Sequence, residues 1–278
     1  MSDFLSFHNR YFITAELVME QPLHIGKGVS LEPVGTDLPI IKTREDLPFI
    51  PGSSTKGVMR SELERIIRAF EAQKLDINGK RLTACDVFDA PCVSEKEKET
   101  LETTSKKNGK VDEADFTQKL WERTCTACRL FGSPWIASRV YIKDMPLLER
   151  KELFRVSEMR DGVAIDRDTG TARKHAKFDY EVVPAKARFT FEMVLENEEL
   201  WEVGLIGMIL KLWTRGEIAI GGMTSRGLGW GKLENIRIEK VDRTDLIEYI
   251  LNEKKQPVNL DDCVKEFQEK LVKGGEDA

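Results

Sequence analysis

Two stretches in which apolar residues recur at every second position, each followed later in the chain by a segment of helical spacing, constrain this sequence most. Ile13, Ala15, Leu17 and Met19 alternate with Thr14, Glu16 and Val18, the period of a strand with one face against a core. The same period returns at Phe189, Phe191, Met193 and Leu195. Downstream of the first lie Val58, Met59, Leu63, Ile66, Ile67 and Phe70. Downstream of the second lie Leu205, Met208, Ile209 and Leu212, within residues 198–214. Both sets recur every three or four residues, as one apolar helix face does. Shorter strand patterns at 139–142, 218–220 and 233–241 complete the series.

Stripped of insertions, the order is β-α-β-β-α-β. This predicts an α+β fold of the ferredoxin-like (RRM-like) kind, an antiparallel sheet with two helices on one face. In RRM modules the other sheet face takes single-stranded RNA. At 278 residues the chain suits one large domain, 1–278, with insertions. Residues 75–135 break the pattern, and 94–115 are so rich in acids and lysines that a solvated, mobile insertion is expected. Residues 154–184 form a second polar excursion, and 242–278 read as a helical extension.

A net charge of −5 argues against binding nucleic acid through bulk basicity but leaves room for a local basic face. No apolar run reaches the length of a membrane span, and the first residues, MSDFLSFHNR, lack the features of a signal peptide. The expectation is a cytoplasmic protein with no membrane partner.

Three separated motifs carry chemistry. The first runs through Pro22-Leu23-His24-Ile25-Gly26-Lys27-Gly28, Gly35-Thr36-Asp37-Leu38-Pro39-Ile40 and Pro51-Gly52-Ser53-Ser54-Thr55-Lys56-Gly57-Val58-Met59-Arg60. The second is Cys128-Arg129-Leu130-Phe131-Gly132-Ser133. The third is Gly221-Gly222-Met223-Thr224-Ser225-Arg226-Gly227-Leu228-Gly229. Ser53 or Ser54 is suited to cap the helix, whose N-terminal N–H groups attract phosphate. Lys56 and Arg60 sit one turn apart on it, spaced to meet successive phosphates. The glycine-rich loop, with Arg226 at its centre, allows close approach of backbone to a ligand. It lies between two strands, so it is not a dinucleotide fingerprint.

In this order, over residues 12–241, these motifs resemble the RAMP (repeat-associated mysterious protein) superfamily of CRISPR systems, in particular the backbone subunit of type III effector complexes. The resemblance implies a subunit that coats guide RNA and cleaves complementary target RNA at regular intervals, dependent on Mg²⁺ (or Mn²⁺). Its implied partners are guide RNA, target RNA, further copies of itself or related backbone subunits, and other type III subunits. It places the catalytic role on Asp37, which either holds the metal or orients or deprotonates the ribose 2′-hydroxyl. RNA contacts are implied for Gly26, Lys27, Gly28, Ser53, Ser54, Lys56, Arg60, Arg129, Gly222, Ser225, Arg226 and Gly227. The segment 75–135 corresponds to a lid. The segment 154–184 corresponds to a thumb-like β-hairpin, with Arg173 and Lys174 on RNA and Met159 and Val163 as a wedge in the guide–target duplex. His24 is read as a hydrogen-bonded structural residue.

Cys85, Cys92, Cys125 and Cys128 lie within 44 residues, a clustering that in a cytosolic chain points to metal before disulfides. The Cys125-x2-Cys128 pair has zinc-knuckle spacing, while Cys85-x6-Cys92 is wider than usual. One structural Zn²⁺ stapling the insertion and four reduced thiols are both open readings. Some members of the superfamily carry zinc in the lid. The rival functions are a scaffold of the same kind without catalysis, a stand-alone guide-processing endoribonuclease, and a single-strand RNA-binding protein outside defence.

Overall fold

The computed structural model describes residues 4–28, 36–77, 79–148 and 155–273. Gly35 of the first motif, Phe154 at the head of the thumb segment and residues 274–278 of the C-terminal extension lie outside the described residues.

In chain order the main elements are β1 (Asn9–Met19), α1 (Gly52–Ala72), α2 (Glu95–Thr104), α3 (Glu113–Arg123), α4 (Thr126–Phe131), β2 (Val140–Ile142), β3 (Glu158–Ile165), β4 (Ala172–Val182), β5 (Arg188–Glu196), α5 (Leu200–Thr214), β6 (Gly231–Asp242), α6 (Leu246–Asn252), β7 (Gln256–Val258) and α7 (Leu260–Lys270). The fold is mixed α and β, and its five-stranded sheet has the order β7-β6-β1-β5-β2. Every neighbouring pair in it is antiparallel. The alternation of β1 and β5 decides which face is inside. Tyr11, Ile13, Ala15, Leu17 and Met19 are buried beside Phe189, Phe191, Met193 and Leu195, and helices α1 and α5 pack into the same core.

Helix α1 buries Thr55, Met59, Leu63 and Ile67. Its N-terminus departs from the sequence reading. Neither Ser53 nor Ser54 caps it; Pro51 is the cap residue, with no side-chain cap bond. Asp144 reaches across instead, accepting from the Gly52 N–H at 2.8 Å. A Cβ on Gly52 would fall 2.3 Å from the Ile142 carbonyl oxygen, so glycine lets α1 start against β2.

Helix α5 is more buried than a single apolar face predicts. Val203, Ile206, Leu210 and Trp213 are buried along with Leu205 and Ile209. The reason is α7 on its outer side: Gly204 and Gly207 admit Cys263, Phe267, Val264 and Leu260 to close range. Helix α5 ends at Thr214, with Arg215 as its C-cap and Gly216 following at φ +77°. The strand expected at 218–220 is only an isolated bridge between Ala219 and Trp230.

The expected mobile stretch 94–115 is instead largely helical. Ser94 and Glu97 form a reciprocal capping box on α2, and Asp112 caps α3. Both helices rest on a second small core of Val93, Leu120 and Ile136, flanked by Leu101, Phe116, Trp121 and Trp135. The apolar residues are sparse, which is why local periodicity did not reveal them. Among the described residues no helix is long and apolar enough to cross a membrane.

Candidate nucleic-acid interface and metal centre

His24 joins the motifs. It is buried, and its Nδ1 lies 2.7 Å from the Glu181 carbonyl oxygen on β4. A carbonyl only accepts, so Nδ1 carries the proton. The His24 carbonyl accepts from the Gly222 N–H at 2.8 Å. A Cβ on Gly221 (φ +90°) would stand 2.4 Å from that carbonyl oxygen, so the glycine-rich loop packs on His24 only because residue 221 has no side chain. At the other end of the loop Gly229 has φ +78°, and a Cβ there would meet the Ile220 carbonyl oxygen at 2.0 Å. Thus pinned, the loop holds Ser225, Arg226 and Gly227 in solvent. Gly26, Lys27 and Gly28 are exposed just beyond His24. Two segments about two hundred residues apart in sequence therefore flank one histidine.

Asp37 is exposed and tied to the foot of the β3–β4 hairpin. The Asp179 N–H donates to its Oδ2 at 2.9 Å, the Leu38 N–H donates to the Asp179 carbonyl, and the Glu181 N–H donates to the Leu38 carbonyl. The Glu181 side chain completes the clamp. Its Oε2 accepts from the Ile40 N–H at 3.2 Å and its Oε1 pairs with Lys42 at 2.7 Å. Burial works against the charge on Glu181, yet hydrogen bonds from Lys42 and Ser157 hold its carboxyl below the usual range. Asp179 is pushed up, first by its hydrogen bond with Asp161 and also by the nearby charge of Asp37. Sequence reading passed over Asp161 and Asp179. The available signal was the alternation Lys177, Asp179, Glu181, which puts three polar residues on one face of a strand.

The hairpin strands pair in antiparallel register, with Gly162 opposite Phe178. The Phe178 ring lies where a side chain at Gly162 would stand. Met159, Val163 and Ile165 are about half exposed or more, at 56%, 48% and 57%. Met159 Sδ also accepts from Thr36 Oγ1 at 3.0 Å, which sets it beside the Asp37 loop. Arg173 and Lys174 are exposed.

Three other basic residues expected at RNA are turned inward. Lys56 Nζ donates to Ser138 Oγ at 2.7 Å and to the Val140 carbonyl at 3.1 Å, and burial lowers its pKa. Arg60 donates to Glu64 Oε1, the Gly132 carbonyl and Cys128 Sγ at 2.8, 2.9 and 3.2 Å. Arg129 donates to the Trp121 carbonyl and stacks on the Trp121 ring. These side chains fasten α1 to β2 and the Leu130-Phe131-Gly132 turn, and α4 to the end of α3. Ser53 is exposed at the start of α1, and Ser54 is half-buried.

The four cysteines converge. Cys85, Cys92, Cys125 and Cys128 present sulfurs that all lie within 4.8 Å of one another. Tetrahedral Zn–S bonds of about 2.3 Å imply sulfur separations of about 3.8 Å, so four thiolates fit one zinc ion with little movement. Hydrogen bonds with Cys125 and Cys128 draw the Cys92 thiol down to about 4, while Cys125 and Cys92 push Cys128 up. Cys85 Sγ and Cys128 Sγ are 3.5 Å apart, and no disulfide joins the four.

A buried ion cluster lies beside Trp121 of α3. Arg139 pairs with Glu198 at 3.0 Å and Glu202 at 2.6 Å, and its guanidinium also stacks on Trp121. Burial pushes the Glu198 carboxyl well up.

The model of the RAMP superfamily matches residues 16–234. A protein of Methanothermobacter thermautotrophicus named CRISPR system Cms endoribonuclease Csm3 is 28% identical over 247 residues, which cover 85% of this chain and 88% of that protein.

Proposed function

Because the chain belongs to the RAMP superfamily, we propose that it is a guide-RNA-binding backbone subunit of a type III CRISPR complex that cleaves complementary target RNA at regular intervals. The similarity to an endoribonuclease named for a CRISPR system supports this reading. On it, the core is ferredoxin-like: β1, β2, β5 and β6 are the four strands, and α1 and α5 the two helices. Residues 75–135 are the lid, 154–184 the thumb and 242–278 a C-terminal extension.

The observation that carries the proposal is the placement of Asp37. It is a solvent-facing carboxylate fixed by a backbone donor at the foot of a hairpin that exposes Met159 and Val163. The apolar side chains wedge between base pairs and splay the strand, as unstacking wedges do. Guide RNA lies along Gly26, Lys27, Gly28, Ser53, Ser54, Gly222, Ser225, Arg226 and Gly227, with Arg173 and Lys174 on the thumb. In the cleavage step the 2′-hydroxyl loses its proton and attacks the adjacent phosphorus, and the 5′-oxygen leaves with a proton. Asp37, with Oδ2 held by the Asp179 N–H, orients that hydroxyl or takes its proton through the other oxygen. The Asp37 carboxylate is a hard oxygen donor of the kind that Mg²⁺ or Mn²⁺ prefers. When bound, such an ion stabilises charge on the phosphoryl oxygens. The four-cysteine cluster holds one structural Zn²⁺ that staples the lid.

The experiment is cleavage of labelled complementary RNA by the guide-loaded complex in Mg²⁺, wild type against Asp37→Ala. A regular ladder that disappears in the variant, with target binding kept, supports the proposal. Tight target binding by wild type with no ladder supports the scaffold reading instead. Cutting of precursor RNA by the isolated chain in EDTA supports the guide-processing one.

A further inference from the structure

We propose that Arg60 is the charge-compensating partner of the four-cysteine centre, so that α1 and the lid close around one metal ion. This rests on the reading of the cluster as a zinc site. Four thiolates around Zn²⁺ carry a net charge of −2, and in a buried setting that charge needs a nearby cation or donors. Cys128 is the most buried of the four, only 1% exposed, so water is poorly placed to supply them. Arg60 supplies both: its Nη2 lies 3.2 Å from Cys128 Sγ.

The guanidinium is held there by its own fork. Nη1 donates to the Gly132 carbonyl at 2.9 Å and Nε to Glu64 Oε1 at 2.8 Å, leaving the side chain 20% exposed. A planar fork makes these three bonds at once, which the point charge of lysine does not. Arg68 offers an internal contrast. It approaches the same centre but donates to the Cys85 carbonyl at 3.0 Å, not to a sulfur, and it is 47% exposed. Arg60 thus acts through Cys128, as a positioning residue. Partners of this kind change metal affinity by about 10–100-fold.

The test uses the full chain loaded with Zn²⁺, with release followed by a chromophoric chelator. Arg60→Gln is expected to release zinc about 10–100-fold faster than wild type, Arg60→Lys to fall between, and Arg68→Gln to match wild type. In the Co²⁺-loaded chain, the sulfur-to-metal charge-transfer band is expected to move to lower energy in Arg60→Gln. The reason is that an N–H···S bond withdraws electron density from the sulfur, and a purely structural role would leave the band in place. Unchanged release and an unchanged band in Arg60→Gln overturn the proposal. Should that variant not fold, Arg60→Lys decides: release at the wild-type rate overturns it, and faster release supports it. A wild-type chain that takes up neither metal removes the zinc reading and this inference together. Metal uptake with equal release rates and an unmoved band removes the inference alone.

Discussion

The Asp179 N–H donates to the Asp37 carboxylate across 142 residues of sequence, at 2.9 Å. The bond fixes one oxygen and makes the loop carrying Asp37 a rider on the hairpin strand. Replacing Asp37 by Asn keeps an acceptor for that bond but removes the charge. The expected result is a fall in target cleavage of about 10²–10⁴-fold with target affinity unchanged, measured as ladder formation beside a binding titration. Equal rates for wild type and Asp37→Asn would show that the chemistry lies elsewhere.

The glycine-rich loop separates two kinds of glycine. Gly227 (φ +87°) faces open space, whereas Gly229 (φ +78°) would drive a Cβ to 2.0 Å from the Ile220 carbonyl oxygen. Alanine at either site carries a left-handed backbone cost on the order of 1 kcal/mol. Only Gly229→Ala adds a backbone clash. Thermal denaturation is expected to place Gly229→Ala well below Gly227→Ala, and a reversed order would contradict the geometry.

The Lys42–Glu181 pair gives a pH signature. The folded Glu181 carboxyl lies below its usual value, so its contribution is present above the unfolded pKa of about 4.3 and is lost as pH falls through the folded value. Burial opposes the charge on Lys42, but hydrogen bonds to Glu181 and Asp46 hold it raised. That contribution is fully present below the unfolded pKa and fades as pH rises through the folded one. Urea midpoints of wild type and Glu181→Gln should therefore differ at neutral pH and converge in acid.

Arg139 pairs with two buried carboxyl groups, the side chains of Arg139, Glu198 and Glu202 being exposed by 3%, 0% and 7%, and Glu202 is the one held ionised. Removing the cation strands the buried Glu202 charge, a loss of about 3–5 kcal/mol for a broken buried pair. Arg139→Met should lose stability on that scale in urea. Glu198→Gln should lose much less, because burial already favours the neutral form of that carboxyl.

Elemental analysis of reduced, freshly purified protein is expected to find about one zinc per chain. Removing it with a chelator should lower the melting temperature and open the lid to proteolysis near Cys92, because the small core around Val93, Leu120 and Ile136 is a weak anchor by itself. No zinc in the wild-type protein, or a melting curve indifferent to chelation, would remove the metal from the lid.

Much of the scaffold is local in origin. Strands β1 and β5 follow from the pleat, which sends alternate side chains to one face whatever the partner strand is. Helices α1 and α5 follow from the 3.6-residue turn. The four cysteines were legible as a cluster because few other reasons bring so many thiols into a short stretch. The polar partners were not legible. Asp144 caps α1 in place of Ser53 or Ser54, and helices α2 and α3 fold where the charge pattern suggested solvated chain. Lys56 and Arg60 have the spacing of a phosphate-binding pair, yet that spacing says only that they share a side of α1. Whether that side meets solvent or other parts of the chain depends on what packs there.

Sequence alone therefore determined the long strands β1 and β5, the helices α1 and α5, the faces of these that enter the core and the residue types available for chemistry, since these depend on neighbours three or four residues away. Tertiary structure alone decided that Asp37 rides on Asp179, that His24 seats Gly221 and Gly222, and that Arg60 turns to Cys128. Hydrogen bonds act over about 3 Å, and the chain brings their donors and acceptors into that range only after strands and helices far apart in sequence have packed.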